Sequence, residues 1–106
     1  MSISSDIKDK TALLKELVEL RLAARGGSGR AQYLLGIKLG TAENGPKEVA
    51  EAVKWYRKAA QQDFAPAQNN LGLLLAGKRL ESPQLEEAVK WFRRAAQQGM
   101  AAGQWN

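Results

Sequence analysis

The chain contains no cysteine, no histidine and only three prolines among its 106 residues. Without cysteine there is no disulfide framework, no thiolate nucleophile and no thiolate zinc site. Without histidine, the commonest general base and the commonest metal ligand are both missing. No apolar run approaches the ~20 residues that span a bilayer. The start, Met1-Ser2-Ile3-Ser4-Ser5-Asp6, lacks the basic and apolar regions of a secretory signal. A cytoplasmic protein without a membrane span is expected, and a retained Met1 argues against a removed leader. The eleven carboxylates, from Asp6 to Glu87, fall mostly at predicted helix starts or at polar helix positions. None pairs with a nucleophile or a ligand set, so catalysis, metal and cofactor are not expected.

What is present is ordinary for one small folded domain: 44% hydrophobic and 25% charged residues, which argues against disorder of the whole chain. The net charge is +5, so an acidic partner has to be considered.

Comparing the chain with itself decides the fold. Residues 51–62, Glu-Ala-Val-Lys-Trp-Tyr-Arg-Lys-Ala-Ala-Gln-Gln, recur at 87–98 as Glu-Ala-Val-Lys-Trp-Phe-Arg-Arg-Ala-Ala-Gln-Gln. At this offset of 36, residues 29–64 and 65–100 share 15 identities, which marks a duplication. Shifted back, the pattern places residues 8–25 as the second half of a degenerate first unit. Shifted forward, it places residues 101–106 at the start of a truncated further one. The expected organisation is therefore an N-terminal capping helix within 1–29, repeats at 30–64 and 65–100, and the truncated start at 101–106.

Each unit reads as two helices. The first covers about 30–40 and 66–76, where Ala31, Leu35 and Leu39, and Ala67, Leu71 and Leu75, share one helical face. The second covers about 46–62 and 83–98. Pro46 and Pro83 stand at its first position, with Ser82 as an N-cap and Gly99 as a left-handed C-cap; Asp63 takes the C-cap place in the earlier unit. Gly26-Gly27-Ser28-Gly29 lacks the Lys-Ser/Thr ending of a phosphate loop and reads as a turn. Helices this short need packing for stability. Gly36 and Gly72 each cost about 1 kcal/mol of helix propensity, which close helix contact would offset. Trp55 and Trp91, at repeat spacing, are expected in the core, where Trp91→Ala would cost ~3–5 kcal/mol.

The pattern of Ala67, Leu71, Gly72, Ala88, Trp91, Phe92, Ala95, Ala96 and Gly99, preceded by Ala31, Leu35, Gly36, Ala52, Trp55, Tyr56, Ala59 and Ala60, resembles the Sel1-like repeat, a relative of the tetratricopeptide repeats. Leucine stands at 39 and 75 where that family usually has tyrosine, and the loop before each second helix departs from its Gly-x-Gly-Val form. The chain is similar to the family's cysteine-free members. The resemblance implies an all-α fold, a right-handed α/α solenoid, acting as an adaptor or scaffold in protein complexes.

Solenoids bind through a concave surface lined mainly by first helices. The residues expected there are Tyr33, Ile37, Lys38, Asn69, Asn70, Leu73 and Trp105, facing a protein or peptide whose identity the sequence does not give. An alternative reading uses a basic outer column of Arg21, Arg57 and Arg93 to bind an anionic surface, either nucleic acid or acidic membrane. Nucleic acid is not favoured, because the interleaved aromatics point inward. Met100, Trp105 and the apolar side of the last helix lack an evident cap, so either the chain is a fragment or that end is covered by a partner or by a second copy through self-association.

Overall fold

The computed structural model of the protein describes residues 3–41, 43–80 and 82–103, with side chains from Lys10 to Gly99. Those residues form five helices and no strands: α1 (Ile3–Arg25), α2 (Gly29–Leu39), α3 (Pro46–Gln61), α4 (Ala65–Ala76) and α5 (Leu85–Gly103). Each helix packs chiefly on its neighbours in sequence, α1 on α2, α2 on α3, α3 on α4 and α4 on α5. The radius of gyration is 16.1 Å, against about 13 Å for a compact chain of this length. Sequential packing in an elongated body defines an α/α solenoid. Helices α2 and α4 are the first helices of two repeats, α3 and α5 the second, and α1 corresponds by the 36-residue offset to a second helix.

The helix starts and stops follow local chemistry. The Ser28 hydroxyl accepts the Ala31 N–H at the start of α2, and Pro46 opens α3, where its missing N–H leaves no bond unmade. Gly27 and Asp63, which are 36 residues apart, both adopt positive φ, at 101° and 62°. Each lets the chain leave a helix in the same way: Ser28 N–H bonds to the Ala23 carbonyl, and Phe64 N–H bonds to Ala59. Asp is tolerated in this conformation, whereas most other side chains are strained there.

Two sequence expectations are corrected at α5. Pro83 is not its first residue, because the chain stays non-helical until Leu85 while the Gln84 N–H reaches back to the Leu75 carbonyl at 2.8 Å. Gly99 does not end the helix, which runs on to Gly103. The turns at 27 and 63 are each held by a following helix that bonds back across them; among the described residues nothing follows α5 to do this.

The core is built from small residues in close contact. Leu35, Ala52, Ala59, Ala60, Ala67, Leu71 and Leu75 are completely buried. The large aromatic groups inside are Tyr56, buried, and its equivalent Phe92, partly buried. Each ring lies against a glycine. A Cβ on Gly36 would stand 2.6 Å from the Tyr56 ring, and one on Gly72 2.7 Å from the Phe92 ring. This corrects the placing of Trp55 and Trp91 in the core: both are only partly buried, at its edge. A half-exposed indole loses less on truncation, so Trp91→Ala should cost about half the ~3–5 kcal/mol of a fully buried aromatic.

Buried polar groups tie the repeats together. Among the described residues, Gln32 and Gln68 are the buried polar side chains, at 4% and 0% exposure. Gln32 Nε2 donates to the Ala24 carbonyl at the end of α1, and Gln68 Nε2 donates to the Ala60 carbonyl at the end of α3. The Oε1 atoms of these two residues accept from Gln62 and Gln98, both at 2.9 Å. Among the described residues no buried side-chain polar atom is left unpaired. The loop after α4 adds a further tie: the Arg79 guanidinium donates to the carbonyls of Gly40, Thr41 and Asn44, just past the C-terminus of α2. A cation there also meets the negative end of the helix dipole.

The glycine contacts give a test with a defined sign. On propensity alone, Gly36→Ala would stabilise α2 by about 1 kcal/mol. With the Tyr56 ring in the way the substitution should instead destabilise the domain by ~1–3 kcal/mol, the usual cost of overpacking. Thermal unfolding should show a lower Tm, and a raised Tm would mean that the ring moves aside freely.

Candidate interaction surfaces

The second helices form one layer, and a repeated electrostatic ladder runs along it. The Arg21 guanidinium donates to Glu51 at 2.9 Å, and Arg57 makes a two-pronged bond to Glu87 at 2.9 and 3.0 Å. Both pairs join residues 30 apart and so link one second helix to the next. The same carboxylates accept the indole N–H of Trp55 and Trp91, at 3.4 and 2.9 Å. A cation covers each indole: Lys58 lies 4.9 Å from the Trp55 ring centre and Arg94 5.7 Å from that of Trp91. Arg94 also pairs with Asp63 at 2.8 Å. The tryptophans thus act as amphipathic rungs of this ladder.

This geometry corrects the basic column. Arg21 and Arg57 are bonded to carboxylates, while Arg93 is exposed. Two of the three arginines therefore stitch repeats together instead of presenting a continuous cationic face.

On the first-helix layer the structure separates the expected contact residues. Ile37 and Leu73 are exposed, at 38% and 58%, as are Lys38 and Asn69. Asn70 is half-buried, with its amide donating to the Tyr56 hydroxyl at 3.5 Å. Burial of that phenol pushes its pKa up. Tyr33 is also half-buried. Its ring lies 5.1 Å from Phe64, edge-on, and 6.0 Å from Tyr56, so it supports the face as much as it presents it. Leu73, Leu74, Asn70, Tyr56 and Gly40 surround a shallow cavity of about 170 Å³. A larger one of about 470 Å³ lies between α1 and α2. Trp105 and the side chain of Met100 lie outside the described residues, as does the end through which self-association was expected.

Sequence reading missed two features. Leu14, Val18 and Leu22 form an exposed row on α1, each more than half accessible. At offset 36 the same row is Ala50, Lys54 and Lys58, so the repeat comparison itself carried the signal. The second feature is the pair Glu16 and Glu19, which line the groove between α1 and α2 beside Leu20.

Among the described residues no group of three or more His, Cys, Asp or Glu could hold a metal ion, and no helix is long and apolar enough to cross a membrane. The protein is a helical-repeat solenoid by its architecture. The Sel1 repeat family profile matches residues 29–64 and again 65–100, more than half of the chain, and the chain belongs to that family. No curated protein and no solved structure matches it. Folds of this kind are generally associated with protein–protein interaction and are typically non-catalytic.

The ladder makes stability depend on pH. Hydrogen bonds from Arg21 and Arg57 hold the Glu51 and Glu87 carboxyls below their ordinary value of 4.5. Their contribution is present above that value and is lost as pH falls through the lowered one. For partly exposed pairs it amounts to about 1 kcal/mol or less. Arg57→Ala should therefore lower Tm at pH 7, and the gap to the parent should close as pH falls below the ordinary carboxyl value and through the lowered one. A gap that stays constant into acid would show that Arg57 acts through packing alone.

Proposed function

We propose that the chain is a non-catalytic interaction module, an adaptor, scaffold or regulator, that binds a protein or peptide through the face shared by α2 and α4. The cysteine-free sequence suits a cytoplasmic setting. The contact residues are Ile37, Lys38, Asn69, Asn70 and Leu73, with Tyr33 bracing them from behind. The observation that carries this reading is Leu73. It is a leucine 58% exposed in the middle of a repeat helix, beside the free amide of Asn69 and at the lip of the small cavity. Exposed apolar groups flanked by amides suit an extended segment, whose side chains need apolar contact and whose backbone needs hydrogen-bond partners. The anion-binding alternative lacks comparable support, because two of its three arginines are already paired.

Affinity capture from the native source, followed by titration, tests the reading. Asn69→Ala combined with Leu73→Ala should weaken the captured partner at least tenfold, a loss of about 1.4 kcal/mol or more. Both residues are exposed, so Tm should hardly move. Binding should depend weakly on salt, unlike binding through a basic surface. Unchanged affinity in the double variant would move the contact off this face.

A further inference from the structure

The outer face of the second-helix layer is open in each repeat, whatever stands on either side of it. Helix α3 shows this. It is held between α1 and α5 by Arg21–Glu51 and Arg57–Glu87, yet Ala50, Lys54 and Lys58 on its outer face stay exposed. The equivalents on α5, Glu86, Lys90 and Arg94, are exposed as well. On α1 the same places hold Leu14, Val18 and Leu22, each more than half accessible. Successive members stand one turn apart, so they form an apolar row on a face that repeat packing does not cover.

The charge beside the row is of one sign. Helices α1 and α3 each lie antiparallel to α2 and so run in the same direction. The Arg21–Glu51 bond joins residues 30 apart and sets their register, with residues 17–24 of α1 beside residues 47–54 of α3. Val18 and Leu22 therefore fall between the levels of Lys47 and Lys54. Spacings of three and four put Lys47, Ala50 and Lys54 on one face of α3, and all three are exposed. Neither lysine makes an ion pair among the described residues. Of the neighbouring carboxylates, Glu51 is spent on Arg21 and Trp55, and Glu48 is half-buried in the first turn of α3. Glu19 lies one turn from Lys15, on the far edge of α1. Arg25, exposed, adds a further cation beyond Leu22.

We propose that the outer groove between α1 and α3 binds an amphipathic helix of a partner protein. Its apolar stripe covers Val18, Leu22 and Ala50, and its edge toward α3 carries aspartate or glutamate two turns apart. Lys47 and Lys54 set that spacing, since seven residues return a helix to the same side. From Leu14 to Leu22 the row is ~12 Å long at 1.5 Å per residue, and about three turns of a partner helix span it. A rod suits such a row. An anionic bilayer shares the chemistry but is flat and needs apolar groups across the whole layer. The outer faces of α3 and α5 instead present Lys54, Lys58, Glu86, Lys90 and Arg94. The inference rests on the chain being a protein-interaction module, but not on the α2–α4 face being the contact.

The probe is a synthetic helical peptide of about 14 residues, stapled so that it is helical when free, with a leucine stripe and glutamates seven apart on one edge. It is titrated into the full chain labelled with nitrogen-15, and amide shifts are followed. Saturable shifts are expected on the outer faces of α1 and α3, around Val18, Leu22 and Ala50. Val18→Gln with Leu22→Gln should weaken binding at least tenfold, as should Lys47→Glu with Lys54→Glu. A peptide with lysine in place of its glutamates should bind the charge-reversed protein better than the parent. All four positions are exposed, and circular dichroism checks that each variant keeps its helix content. Asn69→Ala with Leu73→Ala should leave peptide binding unchanged, which separates this groove from the α2–α4 face. No shifts up to millimolar peptide, shifts confined to α2 and α4, or equal binding of both peptides to the parent would overturn the proposal. So would sedimentation with phosphatidylserine vesicles that Val18→Gln with Leu22→Gln abolishes while the peptide leaves the spectra unchanged; that result would assign the row to a membrane.

Discussion

The repeated unit depends most on the buried glutamine that sits at each junction. Gln32 and Gln68 occupy the interior, where an amide left without partners would cost about 1–3 kcal/mol. The structure gives each amide a donor and an acceptor on two other helices: a carbonyl at the end of the preceding second helix, and a glutamine side chain of the following one, Gln62 at the C-cap of α3 or Gln98 within α5. Three consecutive helices must therefore be in register for the bonds to form. Apolar contact between alanines and leucines tolerates sliding; a buried amide with directional partners does not. The same bonds fix the left-handed residues at 27 and 63, because the turn has to bring the next helix back over the carbonyl that the glutamine captures.

Given that register, the two layers divide the remaining work. The inner layer allows helices to touch through glycine, at Gly36 and Gly72, so that an aromatic ring can pack against a backbone. The outer layer holds the second helices side by side through Arg21–Glu51–Trp55 and Arg57–Glu87–Trp91. These bonds are partly exposed, and each contributes little alone. Their value is geometric: a two-pronged arginine–carboxylate bond sets the distance and tilt between neighbouring second helices, and so the relation of one repeat to the next.

The sequence made much of this legible because a repeat compares a chain with itself. The two-helix unit, the boundaries of α2, α3 and α4, and the turn at Asp63 all follow from the 36-residue offset and ordinary capping chemistry. The misreadings share a physical cause. Offset comparison finds equivalent residues, but the ladder joins unlike ones 30 apart, so Arg21, Arg57 and Arg93 read as a charged column while Glu51 and Glu87 passed as helix-start acids. Trp55 and Trp91 read as core because size suggests burial. Their indole N–H needed an acceptor, and the carboxylate one turn earlier holds the ring at the edge, while Tyr56 is buried and the Phe92 ring packs on Gly72. The starts of α3 and α5 differ because Pro46 opens its helix directly, whereas the N–H of Gln84 is used on Leu75 first.

The candidate surfaces were less legible, for a reason inherent in repeats. A position that is core in one unit is surface in another when the neighbouring helix is absent, and composition does not reveal which. Glu16 is the clearest case. Read along α1 it is an unremarkable polar residue. Read across the repeat it stands where Ala52 and Ala88 are completely buried, so it is a carboxylate at a contact position. Leu14, Val18 and Leu22 show the reverse exchange, apolar groups where the next unit has Ala50, Lys54 and Lys58. Terminal units of solenoids generally depart from the repeat by becoming more polar on their open side. Here α1 gains acid on the side that a first helix would cover and leucine on the side that the next unit leaves wet. Acid on an open side is compatible with water, whereas an apolar row facing water is unfavourable. Both changes lie on one helix, which makes α1, more than the regular repeats behind it, the part of the surface whose composition departs from what folding alone requires.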